Sequence, residues 1–272
     1  ATGQTEADLK ATMRPDAQRR VKGSLVLDAV IKAENIEITD EKLDEEIAKM
    51  AEAYKMEVEK LKELYEKILS QENVIGLNIA TRPDAISNEC LDYLEELNKK
   101  TYLTIELGLQ TTNEKTSKLI NRCHTLTCFE EMVSKLRERN IDVVVHIING
   151  LPYETKEDML NTIKYLNKLD IQGIKIHMLS ILKDTPLEKL YEKEHFKMLT
   201  KEEYIDIVIN QLELLRPEIV IHRITGDPKI DDLVEPNWLI KKFGVLNDID
   251  KEMVKRDTYQ GKKTKWKYLI TT

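Results

Sequence analysis

Cysteine is scarce in this chain: 272 residues hold three, Cys90, Cys123 and Cys128. Three thiols at irregular spacing exclude the disulfide framework of a small secreted domain. Also missing is any apolar run long enough to cross a bilayer, and no signal peptide opens the sequence. No membrane role is expected, and the setting the composition suggests is cytoplasmic, with reduced thiols. There is no surplus of positive charge either: 42 Lys and Arg stand against 49 Asp and Glu, a net charge of −7. That balance argues against nucleic acid as a partner, because affinity for a phosphate backbone grows with the cations that neutralise it. The one basic cluster, "GKKTKWKYL" near the C-terminus, reads as a solvated tail. What is present is an ordinary globular composition, 41% hydrophobic and 33% charged, sufficient for one α/β barrel or two smaller domains.

The chain reads as two different parts, residues 1–66 and residues 67–272. The first part carries only helical patterns. Thr39 or Asp40 caps one of these helices, and Leu43, Ile47, Met50 and Tyr54 form an apolar stripe along it. From Val74 onward, strand and helix patterns alternate. Predicted strands are "VIGLNIA", "YLTIELGLQ", "VVVHIIN", "GIKIHMLSI" and "EIVIHRITG". Between them lie helices opened by Ser87, by a Thr127–Glu130 capping box, by Thr155 with Asp158, and by a Thr200–Glu203 capping box. The segment "NEKTSKLINR" reads as a further helix. Such alternation predicts a parallel sheet with right-handed crossovers. Five strand–helix repeats are fewer than a closed eightfold barrel requires.

Strands of a covered parallel sheet are normally apolar on both faces. These are not. Alternation places Thr104, Glu106, Gly108 and Gln110 on one face of the second strand. His146 shares a parity with Val144 and Ile148, Lys175 with His177, and Asn78 with Arg82. Each choice has a structural explanation on its own, such as an ion pair between Glu106 and Lys175 across the sheet. Repetition on four strands points instead to a polar lumen or crevice at the strand ends, where ligands bind in such folds. After the third strand, Gly150 permits close backbone approach, Pro152 fixes the exit direction, and a helix N-terminus offers free amides.

The segments "IELGLQT", "NRCHT", "HIINGLPYET" and "GIKIHMLSILKDTPL" resemble the radical S-adenosylmethionine superfamily, specifically an uncharacterised bacterial subgroup related to the elongator-type enzymes. "ATRPDAI" and "VIHRITGD…LVEPNW" extend the similarity, which runs from about Leu61 to the C-terminus. The resemblance implies an α/β fold, an incomplete parallel (β/α) barrel that binds S-adenosylmethionine across the C-terminal strand ends. By the same resemblance Gln110 and Arg122 contact the ribose and the methionyl carboxylate, and His146 lies near the ribose. Ile148 and Gly150 hold the adenine, helped by backbone around His177. With Glu106 these make the candidate cofactor-binding set. The family's [4Fe–4S] cluster is also implied, but its three-cysteine CxxxCxxC-like loop is missing, as is the glycine-rich methionine-binding strand. Residues 1–63 resemble the C-terminal domain of bacterial trigger factor, a ribosome-associated chaperone, so the chain reads as a chimera.

The leading expectation is a truncated radical S-adenosylmethionine core acting on an unknown substrate, inactive as written, with self-association through an open barrel edge as one way to cover it. The alternative is a non-enzymatic chaperone that binds unfolded polypeptide through the N-terminal helices. A metal-dependent hydrolase is the weakest reading: of five histidines only His146, His177 and His222 fall on strands, with no carboxylate at ligand-like spacing.

Overall fold

The structure, a computed structural model, describes residues 62–63, 65–71 and 73–264. The helices expected over residues 1–66 lie almost wholly outside the described residues. The chain divides into two units between Glu66 and Lys67, and the second unit carries the alternating strands and helices.

Five parallel strands form one sheet: β1 (Gly76–Thr81), β2 (Tyr102–Gln110), β3 (Asp142–Asn149), β4 (Gly173–Met178) and β6 (Val220–Arg223). They lie in the order β1-β2-β3-β4-β6, so each crossover moves one strand along, and among the described residues the sheet does not close. Connecting helices are α1 (Asn88–Lys100), α2 (Glu114–Leu119), α3 (Leu126–Glu138), α4 (Lys156–Leu166), α5 (Pro186–Glu194) and α6 (Lys201–Leu214). A final helix, α7 (Lys242–Lys255), packs on α6. Two short strands, β5 (Ile181–Leu182) and β7 (Leu233–Glu235), pair antiparallel in a separate sheet. The sequence pattern merges β5 into the fourth strand and does not reveal α5, α7 or β7.

Alternation decides what the sheet buries. Leu103, Ile105, Leu107 and Leu109 of β2 share a parity, as do Val143, Val145 and Ile147 of β3 and Ile174 and Ile176 of β4. All are at most 1% exposed. Helices bury matching stripes: Leu91, Leu94 and Leu97 of α1, Phe129, Val133 and Leu136 of α3, and Met159 and Ile163 of α4. Each fully buried aliphatic side chain contributes ~2 kcal/mol relative to exposure, so this layer supplies most of the driving force.

Helix starts follow the expected chemistry with one correction. Ser87 caps α1 by accepting from the Cys90 amide, and both Thr155–Asp158 and Thr200–Glu203 form complete capping boxes. The third helix, however, is capped by Thr125, which is extended and accepts from the Cys128 amide. Thr127 therefore lies in the first turn and cannot offer the expected capping box. The helix predicted over "NEKTSKLINR" ends at Leu119, because Asn121 and Cys123 both adopt left-handed backbone (φ 58° and 68°).

Candidate functional site at the C-terminal strand ends

The second parity of the strands forms a face that is buried at Thr104, Glu106 and Val144 and half-buried at His146, Lys175 and His177, and Glu106, His146 and Lys175 hold one another. Lys175 Nζ donates to both oxygens of Glu106, at 2.7 and 2.6 Å, and His146 Nε2 donates to Glu106 Oε2 at 2.7 Å. Glu106 reaches Lys175 diagonally past β3, since Gly108, His146 and Lys175 are register neighbours while Glu106 pairs with Val144. Thus the ion pair considered from the sequence forms. Burial by itself would raise the Glu106 carboxyl; the hydrogen bonds from Lys175 and His146 outweigh that and hold it below the usual carboxylate range.

His146 stacks on His177, with ring centroids 5.1 Å apart and planes 29° off parallel. Burial lowers the His146 imidazole, opposed by Glu106. His177 is pushed down to about 4, first by burial and then by His146, Arg223 and Lys175. Both rings are therefore neutral at physiological pH. His177 Nε2 is buried and has no hydrogen-bond partner among the described residues. An unsatisfied buried nitrogen costs ~1–3 kcal/mol, a deficit that a bound polar group would remove.

Gln110 ends β2 in left-handed backbone, φ 66°, beside a register irregularity against β3. A non-glycine residue in this region carries strain of ~1 kcal/mol or more. The Gln110 amide folds back over Gly108, where a Cβ would lie 2.7 Å from Gln110 Nε2. Gln110 and Ile148 border two cavities at once. One is a groove of about 740 Å³ lined also by Arg82, Lys118, Arg122, Leu179 and Leu187. The other, about 380 Å³, is lined also by His146, His177, Ser180, Arg223 and Asp227.

Arg122 borders the groove with a side chain only 2% exposed. Its guanidinium donates to the carbonyls of Thr111 (2.6 Å), His124 (2.9 Å) and Leu109 (3.4 Å), and to Glu114 Oε1 at 3.1 Å. Three of these four bonds hold backbone, two of them on either side of Gln110. Gly150, with φ 80°, opens onto a different cavity, beside Leu151 and Leu199. The site set thus divides: Glu106, His146 and His177 form one cluster, Gln110 and Ile148 link it to the groove, Arg122 shapes the groove wall, and Gly150 faces elsewhere.

Arg223 and the buried Asn149–Gln211 pair are not legible in the sequence. Arg223 follows a bulge between β4 and β6, where alternation no longer reports the face. Asn149 and Gln211 exchange two amide hydrogen bonds of 2.8 Å across 62 residues, a pairing no local pattern announces.

Residues 51–166 match the Radical SAM superfamily, residues 171–255 match the Radical_SAM C-terminal domain, and residues 1–79 match the bacterial trigger factor protein C-terminus. An uncharacterised protein of Bacillus subtilis, YtqA, is 49% identical over 205 residues, covering 75% of this chain and 64% of that protein. Trigger factor of Geobacillus kaustophilus is 57% identical over 63 residues, 23% of this chain and 15% of that protein. The archaeal Elp3 of Methanocaldococcus infernus shares the fold, with a TM-score of 0.59 at 21% identity over 68% of this chain and 43% of that one. This chain spans less than two thirds of the length of the first curated relatives it matches. Over the matched residues, the chain carries a Radical SAM domain and a Radical_SAM C-terminal domain, with a trigger factor C-terminal match over its first 79 residues.

Proposed function

We propose that residues 67–272 are the S-adenosylmethionine-binding part of a radical SAM core, receiving the adenosyl group across the ends of β2, β3 and β4. The carrying observation is Gln110, a strained residue on a strand end that borders two cavities, one of them lined also by His146 and His177. Gln110 offers both a donor and acceptors to hydroxyl groups, and His177 offers a neutral ring nitrogen. Ile148 and Leu179 supply an apolar wall for a purine.

The [4Fe–4S] cluster that provides the electron for cleavage in this superfamily does not fit the residues present. Cys90 lies in α1, Cys128 in the first turn of α3, and exposed Cys123 between α2 and α3. Among the described residues no three His, Cys, Asp or Glu side chains come together in a group able to hold a metal. The proposed activity of this chain is therefore cofactor binding, with substrate and reductive cleavage depending on a cluster-bearing segment from elsewhere. Among the described residues β1 pairs on one side only, with β2, and such an edge suits that segment or a second copy.

Anaerobic titration calorimetry of S-adenosylmethionine into the chain tests the reading, with Gln110→Gly alongside. Glycine accepts φ 66° without strain, so the variant keeps its fold while losing the amide. Binding weakened at least tenfold by Gln110→Gly supports the proposal, and unchanged binding contradicts it. A second reading, client binding through the trigger factor segment, rests on the match over residues 1–79. Suppressed aggregation of a denatured client, equally strong in Gln110→Gly, would favour it.

A further inference from the structure

A cavity of about 360 Å³ lies between the β3–α4 turn and the N-terminal half of α6. Its wall is apolar where Leu151, Met159, Leu199 and Ile207 meet. Five charged side chains border it, and four are already paired: Lys156 with Asp206 at 2.5 Å, and Lys197 with Glu203. The fifth is Glu154. Its carboxylate is half-buried, and no cation pairs with it among the described residues. Thr111 Oγ1 donates to Glu154 Oε1 at 2.5 Å, and Thr116 is a second hydroxyl neighbour. Asp206 is paired twice, also with Arg256 at 2.9 Å, so among the described residues Glu154 is the bordering carboxylate without a cationic partner.

We propose that this cavity binds a primary ammonium group carried on a short aliphatic chain, with Glu154 as the counter-ion and Met159, Leu199 and Ile207 against the hydrocarbon. The chemistry follows from what is unpaired. An anion would meet a carboxylate whose only direct partners are hydroxyls, and a neutral apolar ligand would leave that carboxylate desolvated and uncompensated. An ammonium donates to a carboxylate oxygen with a charge-assisted hydrogen bond, while its methylene groups bury against the wall.

Burial raises the Glu154 carboxyl to about 7, with the nearby Asp158 adding to the shift and the Thr111 and Thr116 hydroxyls opposing it. Among the other charged groups, Lys156 pairs with Asp206, which Arg256 also holds at 2.9 Å, and Lys197 pairs with Glu203. An ammonium ligand favours the ionised carboxylate, so its affinity rises as pH increases through about 7. The cavity shares Leu151 with the adenosyl groove, but Gln110 does not border it, so ammonium binding that survives Gln110→Gly is read apart from the S-adenosylmethionine proposal.

The test uses the full chain with n-propylammonium chloride as probe and 1-propanol as its neutral counterpart, titrated by calorimetry or ligand-observed NMR at pH 6 and pH 8. The expected result is ammonium binding that strengthens toward pH 8, falls at least tenfold in Glu154→Gln, and is unaffected by Gln110→Gly. 1-Propanol should bind at least tenfold more weakly than the ammonium. No ammonium binding at either pH, equal binding of the alcohol, or Glu154→Gln within about twofold of the original chain would overturn the assignment. Should Glu154→Gln not fold, the comparison of ammonium with alcohol at the two pH values decides on the unmodified chain.

Discussion

Replacing Lys175 by Met should destabilise this part of the chain by ~3–5 kcal/mol, much more than replacing Glu106 by Gln. The asymmetry comes from exposure. The Glu106 side chain is 6% exposed, Lys175 19% and His146 23%. Two unit charges ~4 Å apart attract by about 4 kcal/mol at an effective dielectric of ~20, and that attraction offsets the desolvation of the carboxylate. Lys175→Met removes the attraction and leaves the burial penalty, which for an orphaned buried charge is ~3–5 kcal/mol. Glu106→Gln leaves instead a lysine with partial access to water and an amide acceptor in place, at a cost of ~1–2 kcal/mol. The pair Glu106→Leu with Lys175→Met removes both charges and should cost less than Lys175→Met alone. Urea unfolding followed by tryptophan fluorescence reads the cycle, since Trp238 packs on buried Tyr204 with centroids 5.4 Å apart. His146 supplies an internal check: as pH falls it can take up a proton beside the abandoned carboxylate and reduce the Lys175→Met penalty. If Lys175→Met costs under ~1 kcal/mol, or no more than Glu106→Gln, then Glu106 is not the buried anion described here.

Two further outcomes rest on the same geometry. Glu106 and His177 both have folded-state values depressed below their ordinary ones, so the unfolded chain binds more protons and stability rises with pH. The His177 contribution is complete above pH ~6.5, its unfolded value, and is lost as pH falls through about 4, where the folded ring titrates; that of Glu106 is complete above its unfolded value of ~4.3 and is lost at lower pH. Thermal melts should therefore fall steadily between pH ~6.5 and about 4, and a flat profile in His177→Asn but not in the original chain would assign the slope to that ring. Asn149→Ala should cost ~1–3 kcal/mol in urea unfolding, because it leaves the fully buried Gln211 amide without its partner. The Asn149→Leu, Gln211→Leu pair should cost less than either single change, and a pair that is worse than their sum would contradict the account.

How much of this could be read from the sequence depends on whether the signal is local. The parallel sheet was legible because Ile105, Leu107, Val145 and Ile176 repeat every second residue and are covered by helices that repeat near every fourth. The polar face was legible for the same reason: Glu106, His146, Lys175 and His177 hold the parity that a covered strand would fill with aliphatics. Helix caps were legible wherever one hydroxyl residue stood at the boundary, and failed at Thr125 and Thr127, where two compete and only backbone conformation selects between them. The role of Arg122 is a different kind of case. Its residue type suggests a grip on a carboxylate, yet the fold turns its donors onto the carbonyls of Leu109 and Thr111, which flank Gln110. Sequence spacing places an arginine near a strand end; it does not say whether its donors face the ligand or the chain. Here the buried guanidinium holds the two carbonyls that flank the left-handed turn, while Gln110 itself borders the cavities. Any effect of Arg122 on ligand binding should therefore be transmitted through Gln110, and the two substitutions should be strongly non-additive in the S-adenosylmethionine titration.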